Sequence, residues 1–428
     1  MKCYFLTFNE RIKLEKAFLI SAIMNDNRKY NSKEDIDELK ALASTAGAIT
    51  VGQAFQNRKK QDPATFIGKG KAHTIFRQAE ELGCGLIIFN NEISPTQIKN
   101  LQKLAGDKIK VIDRTGLILD IFIKHAKTHE AKTQVELAQL EYLLPRLTRQ
   151  WTHLERQMGG IGTRAGSGES QIEIDRRLLR KHISKLKSTL KQIQSQRNIQ
   201  SHGRKGAYRI ALVGYTNTGK STLMQRLSSA EVFIQNKLFA TLDTTTRKLD
   251  LGLGIPILLS DTVGFIRNLP HHLVASFRST LSEIKEVDLL LQIYDASSNN
   301  LQIQIDTVDE VLFNLNIKNK ITLKIFNKID RISDFSQLKG LKKRYNEGIF
   351  ISALDNLGLD VMHKNICNII KSNFLQEIFH LNYKQTKIID TIYALTHVLN
   401  KKDNYDGIIL KVEGNKEALE KIRRIIEN

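Results

Sequence analysis

The chain of 428 residues carries 65 Lys and Arg against 45 Asp and Glu, a formal net charge of +20, with 41% hydrophobic and 26% charged residues. That length suits about two to four ordinary domains, and the balance excludes disorder as the default and points to an anionic partner, nucleic acid ahead of a membrane surface. The apolar runs are too short for a membrane span, the charge-broken "MKCYFLTFNERIKLEKAFLI" lacks the core of a secretory signal, and Cys3, Cys84 and Cys367 are too dispersed for a metal motif, so a reducing, cytoplasmic setting is expected.

Residues 1–118 alternate apolar and amphipathic runs. "KAFLISAIM", "AITVGQAF", "GLIIFN" and "KIKVID" read as strands, with "DIDELKALASTAG", "KAHTIFRQAEELG" and "SPTQIKNLQKLAG" as helices between them. This rhythm is that of parallel βαβ units and predicts a small α/β subdomain. Ser94, Pro95, Gln97 and Gly106 give the last of these helices a capping box, a first-turn proline and a terminating glycine. "TFIGKGKAH", Thr65 to His73, reads either as a glycine-lysine loop presenting amides and ammonium groups to phosphate or as a plain turn.

Residues 119–203 read as a basic helical hairpin. Between 121 and 206 there are 17 basic and 7 acidic residues, so half of the excess charge lies in about a fifth of the chain. Val135, Leu137, Leu140, Leu143 and Leu144 fall at helical spacings on the first arm, and Leu178, Leu179, Ile183, Leu186, Leu190 and Ile193 do so on the second. Between the arms, "RQMGGIGTRAGSGESQIEIDRR" holds five glycines, with Arg156, Arg164, Arg176 and Arg177 around them. Guanidinium groups on a mobile backbone suit phosphate or RNA contact, while a tolerated insertion is the blander reading. Tyr142 and Trp151 are candidates either to stack on bases or simply to pack.

Residues 204–374 announce their chemistry. "YRIALVGYTNTGKST" runs a strand into Gly214-Tyr215-Thr216-Asn217-Thr218-Gly219-Lys220-Ser221-Thr222 and then into a helical segment, the strand–loop–helix context of a phosphate-binding loop. Amides face the β-phosphate, Lys220 spans the β and γ oxygens, and the Ser221 hydroxyl completes magnesium coordination. "IFNKID" selects guanine: Asp330 accepts from the ring NH and the 2-amino group, Lys328 lies along the base, and Asn327 ties this segment, which includes Ile329, to the phosphate loop. "ISAL" follows, with Ser352, Ala353 and Leu354.

Two switch segments complete the set. "DTVG" (Asp261, Thr262, Val263, Gly264) ends an apolar strand, so that Asp261 can hold the water shell of magnesium and the Gly264 amide can sense γ-phosphate. "FATLDTTTRK" lies between this strand and the phosphate loop, and Thr241, Thr244, Thr245 and Thr246 all qualify by position as a hydroxyl that reaches the metal. Phe265 stands where a polar, water-orienting side chain is expected. Residues 375–428 read as helix, strand, helix, with Gly407 and Gly414 as punctuation, a small α+β extension.

The ordered set "GYTNTGKS", "FATLD", "DTVGFI", "NKID" and "SAL", preceded by "HAKTHEAKTQVELAQLEYLLPRL" and "GGIGTRAGSGESQIEIDRR", resembles the HflX translational GTPases. The resemblance implies a Ras-like GTPase domain behind a small parallel α/β subdomain and a long helical hairpin. It also implies GTP and GDP as ligands, magnesium as cofactor, and a protein that binds the large ribosomal subunit and ribosomal RNA and splits ribosomes; a monomer is expected, although no residue motif speaks to oligomeric state. Within "FATLD" (Phe239, Ala240, Thr241, Leu242, Asp243) it selects Thr241 as the second magnesium ligand beside Ser221. Asn217 matches a position that in several ribosome-linked GTPases helps bind potassium, a candidate substitute for an arginine finger. Two departures stand out: Thr244 replaces the usual proline, and "RAGSGE" from Arg164 replaces Arg-Gly-Pro-Gly-Glu. The apolar Phe265 belongs to the resemblance. The competing reading is a nucleotide-gated RNA-binding protein with negligible hydrolysis, and an ATP-driven RNA remodeller has only the phosphate loop and the basic charge behind it.

Overall fold

The run "KAFLISAI" is apolar at nearly every position, the pattern of a strand covered on both faces, and β1 (Glu15–Met24) is that strand in a computed structural model of the chain. The structure describes residues 15–24, 32–147, 171–202, 207–228, 238–239, 244–253, 255–267, 283–317, 320–372, 374–385, 387–414 and 416–427. These divide into two compact units, one up to residue 193 and one from 194 onward.

In the first unit, α1 (Ser32–Ala46), β2 (Ala48–Arg58), α2 (Lys69–Glu81), β3 (Leu86–Phe89), α3 (Pro95–Ala105) and β4 (Lys110–Asp113) follow β1 in strict alternation. The four strands are parallel, in the order β2-β1-β3-β4. Their core holds Phe18, Ile20, Ile75, Phe76, Ile87 and Phe89. The α3 cap forms as its sequence predicts: the Ser94 hydroxyl accepts from the Gln97 amide at 3.3 Å, and Gln97 Oε1 accepts from the Ser94 amide at 3.0 Å.

The helix expected from Lys71 begins two residues earlier, inside "TFIGKGKAH": Gly68 is the N-cap of α2, and Lys69 and Gly70, read as loop, are helical. Burial of Ala72, Ile75, Phe76 and Ala79 supplies the reason, because tertiary packing overrides the weak helix propensity of one glycine.

The helical region comprises α4 (Arg114–His125), α5 (His129–Leu143) and α6 (Gln171–His202). Leu137 of α5 packs with Ile183 and Leu186 of α6, with Leu140, Leu144 and Leu190 half-buried around them. Lys187 and Glu141 pair across the seam at 2.8 Å. Leu178 falls off this seam and is 44% exposed, so not every apolar residue at helical spacing joins the packing. Tyr142 is a packing residue. Its hydroxyl donates to Asp113 Oδ1 at 2.8 Å, and the Arg146 guanidinium lies 3.7 Å from the ring centre. Trp151 and the glycine-rich segment lie outside the described residues.

The second unit contains a six-stranded sheet, in the order β10-β9-β8-β5-β7-β6. Its strands are β5 (Tyr208–Gly214), β6 (Thr245–Leu249), β7 (Ile257–Asp261), β8 (Leu289–Asp295), β9 (Ile321–Asn327) and β10 (Ile349–Phe350). All pairings are parallel except that of β6 with β7. Among the described residues four helices belong to this region: α7 (Lys220–Ser228), α8 (Leu301–Asn314), α9 (Phe335–Arg344) and α10 (Leu359–Ser372).

After them come β11 (Leu375–Leu381), α11 (Lys387–Leu395), β12 (His397–Asn404), β13 (Gly407–Gly414) and α12 (Lys416–Glu427). The extension is therefore α+β, yet the helix–strand–helix expectation missed β11 and β12. These strands flank β13 in the order β11-β13-β12. An edge strand such as "HVLNKKDN", exposed along most of its length, carries no apolar alternation for a sequence pattern to register. Among the described residues no helix is long and apolar enough to cross a membrane.

Candidate functional site

Because β5, β7, β8, β9 and β10 are parallel, their C-terminal ends share one edge of the sheet, the edge where open α/β sheets bind ligands. β5 ends at Gly214, β7 at Asp261, β8 at Asp295 and β9 at Asn327. The motifs read from the sequence are consequently neighbours.

The chain leaves β5 through Tyr215–Gly219 and enters α7 at Lys220. Asn217 sits at φ 58°, exposed, and Gly219 at φ 93°. A Cβ at Gly219 would stand 2.3 Å from Asn327 Nδ2, so glycine is required by space as well as by conformation. Thr216 and Thr218 are buried, and the Thr218 hydroxyl closes the turn by donating to the Tyr215 carbonyl at 3.0 Å. Thr222 is half-buried on α7.

Lys220 is buried, and its ammonium donates to the carbonyls of Gly214 at 3.1 Å and Tyr215 at 2.7 Å. Burial, with the neighbouring Lys328 charge adding to it and the Asp261 carboxylate opposing, brings its pKa down to about 8. The Ser221 hydroxyl donates to Asp261 Oδ2 at 2.6 Å. A hydroxyl and a carboxylate side by side at the end of a phosphate loop are hard oxygen donors, and this pair fits a divalent cation of the magnesium kind.

Beyond Asp261, the Thr262 hydroxyl donates to the Leu212 carbonyl at 2.7 Å, and Val263 is buried. Gly264 lies against the phosphate loop, where a Cβ would come within 2.8 Å of Thr216 Cα. Phe265 is 2% exposed, and its backbone bridges the loop: its amide donates to Gly214 O at 3.0 Å, and its carbonyl accepts from the Thr216 amide at 2.7 Å. The Tyr215 hydroxyl then accepts from the Arg267 amide at 3.0 Å. Phe265 is thus a packing residue that staples the second switch segment to the phosphate loop.

Asn327 joins three motifs. Its Nδ2 donates to the Thr218 carbonyl at 2.9 Å, and its Oδ1 accepts from the Ala353 amide at 2.9 Å. Asp330 is exposed, and one of its oxygens accepts from the Ser352 hydroxyl at 2.6 Å. Ser352 and Ala353 are buried, Leu354 is exposed, and Ile329 is half-buried.

The structure separates the threonines of the first switch segment. The Thr246 hydroxyl lies 3.0 Å from Ser260 Oγ, the Thr245 hydroxyl faces Met224 Sδ at 3.6 Å, and both belong to β6. Phe239 is buried, while Ala240, Thr241, Leu242 and Asp243 lie outside the described residues, as do Arg156 and Arg164. Arg176, on α6 in the other unit, donates to the Leu147 carbonyl at 3.4 Å, and Arg177 is exposed.

Two contributors to the site escaped sequence reasoning. Arg226 of α7 donates to the carbonyls of Ala353 at 3.2 Å and Leu354 at 3.0 Å, and a lone helical arginine gives no signal of that. Asp295 pairs with the Lys328 ammonium at 2.8 Å. A signal was present for Asp295, since "LLLQIYD" ends an apolar strand in aspartate just as "IPILLSD" does.

Three family models match the chain: the GTP-binding GTPase N-terminal region over residues 33–123, the GTP-binding GTPase middle region over 125–204, and the 50S ribosome-binding GTPase over 209–328. The GTPase HflX of Flavobacterium psychrophilum is 48% identical over 75% of this chain and 77% of its own. That of Caldanaerobacter subterraneus subsp. tengcongensis is 40% identical over 96% of this chain and 94% of its own. Among solved structures, the chain is similar to a GTP-binding protein from the archaeon Sulfolobus solfataricus in complex with GDP. That likeness is 24% identical at a TM-score of 0.43, covering 83% of this chain and 98% of that one.

Proposed function

The chain belongs to the HflX family of GTPases and is a GTP hydrolase, and we propose that it binds the large ribosomal subunit, remodels or splits ribosomes, and hydrolyses GTP faster when bound there. The observation that carries the nucleotide part is Asn327, whose side chain ties the phosphate loop at Thr218 to the "SAL" backbone at Ala353. Specificity for guanine then falls to Asp330, which needs two donors that adenine does not offer. The family model's description as a 50S ribosome-binding GTPase supports the ribosomal partner, and so does the basic hairpin. A cytoplasmic setting follows from that partner.

The family implies a divalent cation, usually Mg2+, which Ser221, Asp261 and, by the family resemblance, Thr241 would hold; when bound it neutralises charge developing on the phosphate oxygens. Lys220 supplies a positive charge from the protein itself. A buried phenyl ring can neither accept a proton nor orient water by a strong hydrogen bond, so basal turnover is slow and the ribosome must rearrange the segment that Phe265 anchors. Potassium at Asn217 is the second element of this proposal, and equal rates in sodium and potassium would remove it.

The deciding experiment is γ-phosphate release with and without large ribosomal subunits. Release should rise several-fold or more with subunits, and an unchanged rate would sink the ribosome-stimulated reading. Ribosome affinity should also fall steeply with salt, with a shallower slope once Arg176 and Arg177 are neutralised.

A further inference from the structure

We propose that Asp295 is a positioning residue for guanine-nucleotide binding, holding the Lys328 side chain across the phosphate loop so that its stem is in place before the base arrives. The inference rests on the reading of Asn327–Asp330 as the base-recognition segment, and it concerns a residue outside every nucleotide motif of the sequence.

The geometry is a relay with each member fixed by the one before it. Asp295 ends β8 and is paired in register with Asn327 at the end of β9. Its Oδ1 accepts from both the amide and the hydroxyl of Ser297, at 3.0 and 2.6 Å. That fixes the carboxylate plane and leaves Oδ2 for the Lys328 ammonium at 2.8 Å. The same ammonium donates to the Asn217 carbonyl in the phosphate loop. Lys328 and Asp295 are 12% and 15% exposed, so the pair is largely shielded from solvent.

Backbone conformation points the same way. Lys328 sits at φ 65° and ψ 35°, a left-handed conformation that a lysine keeps only where its surroundings over-determine it. With the ammonium anchored at Asp295 and Asn217, the four-carbon stem is stretched across the mouth of the loop as an apolar strip. A flat base can lie on such a strip without ordering it first, which is how preorganisation raises affinity.

The test is a double-mutant cycle in the full-length protein, with a fluorescent GDP derivative as probe. Asp295→Asn keeps an acceptor for Ser297 but loses the charge, and should raise the Kd for GDP about tenfold, mainly through faster release. In a Lys328→Met background, which lacks the ammonium, Asp295→Asn should change the Kd by less than twofold, because Asp295 acts through Lys328. Ser297→Ala removes one of the two bonds that hold the carboxylate plane, the hydroxyl's, and should weaken binding in the same direction by a smaller factor, which gives a reading even if Asp295→Asn does not fold. An unchanged Kd in Asp295→Asn, or in Ser297→Ala when the first variant is unfolded, overturns the proposal, as does full multiplicativity of the two substitutions in the cycle. Failure of the wild type to bind GDP would instead defeat the guanine-nucleotide reading.

Discussion

Both units gather polar side chains at the C-terminal edge of a parallel sheet, but they spend them on different things. In the first, Asp113 at the end of β4 is fully buried and accepts from the Gly116 amide at 2.9 Å, the Tyr142 hydroxyl at 2.8 Å, the Arg146 guanidinium at 3.3 Å and the Ile93 amide at 3.4 Å. Next to it, Arg114 donates to Asn90 and Glu38, both at 2.8 Å. All these partners come from the chain itself, and through Tyr142 and Arg146 they fasten the end of α5 to the sheet. In the second unit Asp261, Asp295 and Asn327 also end strands, yet they hold loops whose tips, Asn217 and Asp330, are exposed. The same edge of the same kind of sheet serves as a joint in one unit and, on the proposed function, as a ligand platform in the other. What separates them is where the polar set leads: onto buried groups in the first, and out to exposed loop tips in the second.

Lys220→Ala is the hardest test of this contrast. Loss of two or three charge-assisted hydrogen bonds to phosphate should weaken GDP and GTP binding by on the order of 10²- to 10⁴-fold, measured by equilibrium titration. The second unit should stay folded, because a buried ammonium is removed rather than stranded. Binding within threefold of wild type would mean that this edge is not a phosphate platform.

Asp113→Ala attacks the joint. It strands the Arg146 guanidinium and the Tyr142 hydroxyl, and breaking a buried ionic cluster from one side costs about 3–5 kcal/mol. Hydrogen exchange should speed up in β4 and α5, while GDP affinity stays at the wild-type value. Equal loss of protection in both units would show that the two edges do not act separately.

Sequence reasoning reached the ligand platform further than the joint, for a physical reason. A phosphate loop and a guanine-reading segment need particular residue types at fixed spacing, so Gly219, Lys220, Ser221, Asn327 and Asp330 stand out in the sequence as candidates, and the structure brings them to one edge of the sheet. Ser94 and Gln97 were legible too, since a helix cap is a local device. Apart from the tie from Asn327 to the phosphate loop, which belongs to the motif, contacts between distant residues left no such trace. Asp113 and Tyr142 are 29 positions apart, Lys328 and Asp295 are 33 apart, and Arg226 meets the Ala353 carbonyl across 127. Phe265 was legible only in part: the sequence shows an apolar side chain where a polar one is expected, and the structure adds a backbone that binds the switch segment to the phosphate loop. β12 was invisible because an exposed edge strand needs no apolar face.

Gly219→Ala is a milder perturbation of the platform. The added Cβ must displace the Asn327 amide, at a backbone φ of 93° that alanine resists. Overpacking of this kind costs about 1–3 kcal/mol. Because Asn327 also holds the Ala353 amide, the damage should spread to base selectivity, and discrimination between GDP and inosine diphosphate should shrink along with affinity. A loss of affinity with selectivity intact would mean that Asn327 does not transmit the strain.

Tyr142→Phe removes a single hydroxyl, and it probes how far the joint relies on one of its donors. It deletes one of the four donors to Asp113 and leaves the ring beneath the Arg146 guanidinium. The expected cost is that of one hydrogen bond to a charged group, about 1.5–3 kcal/mol. Its pH dependence is the discriminating part. Burial first, and the Asp113 charge second, push the Tyr142 phenol above its ordinary value, so the folded state keeps this proton where the unfolded chain has begun to lose it. The stabilisation is therefore fully present below the unfolded phenol's pKa of about 10 and declines as pH rises past it. The stability gap between wild type and Tyr142→Phe, measured by denaturant titration, should be flat from pH 6 to 9 and narrow above about pH 10. A gap that widened there would mean that the phenolate is favoured inside the cluster, which a hydroxyl donating to a buried carboxylate does not allow.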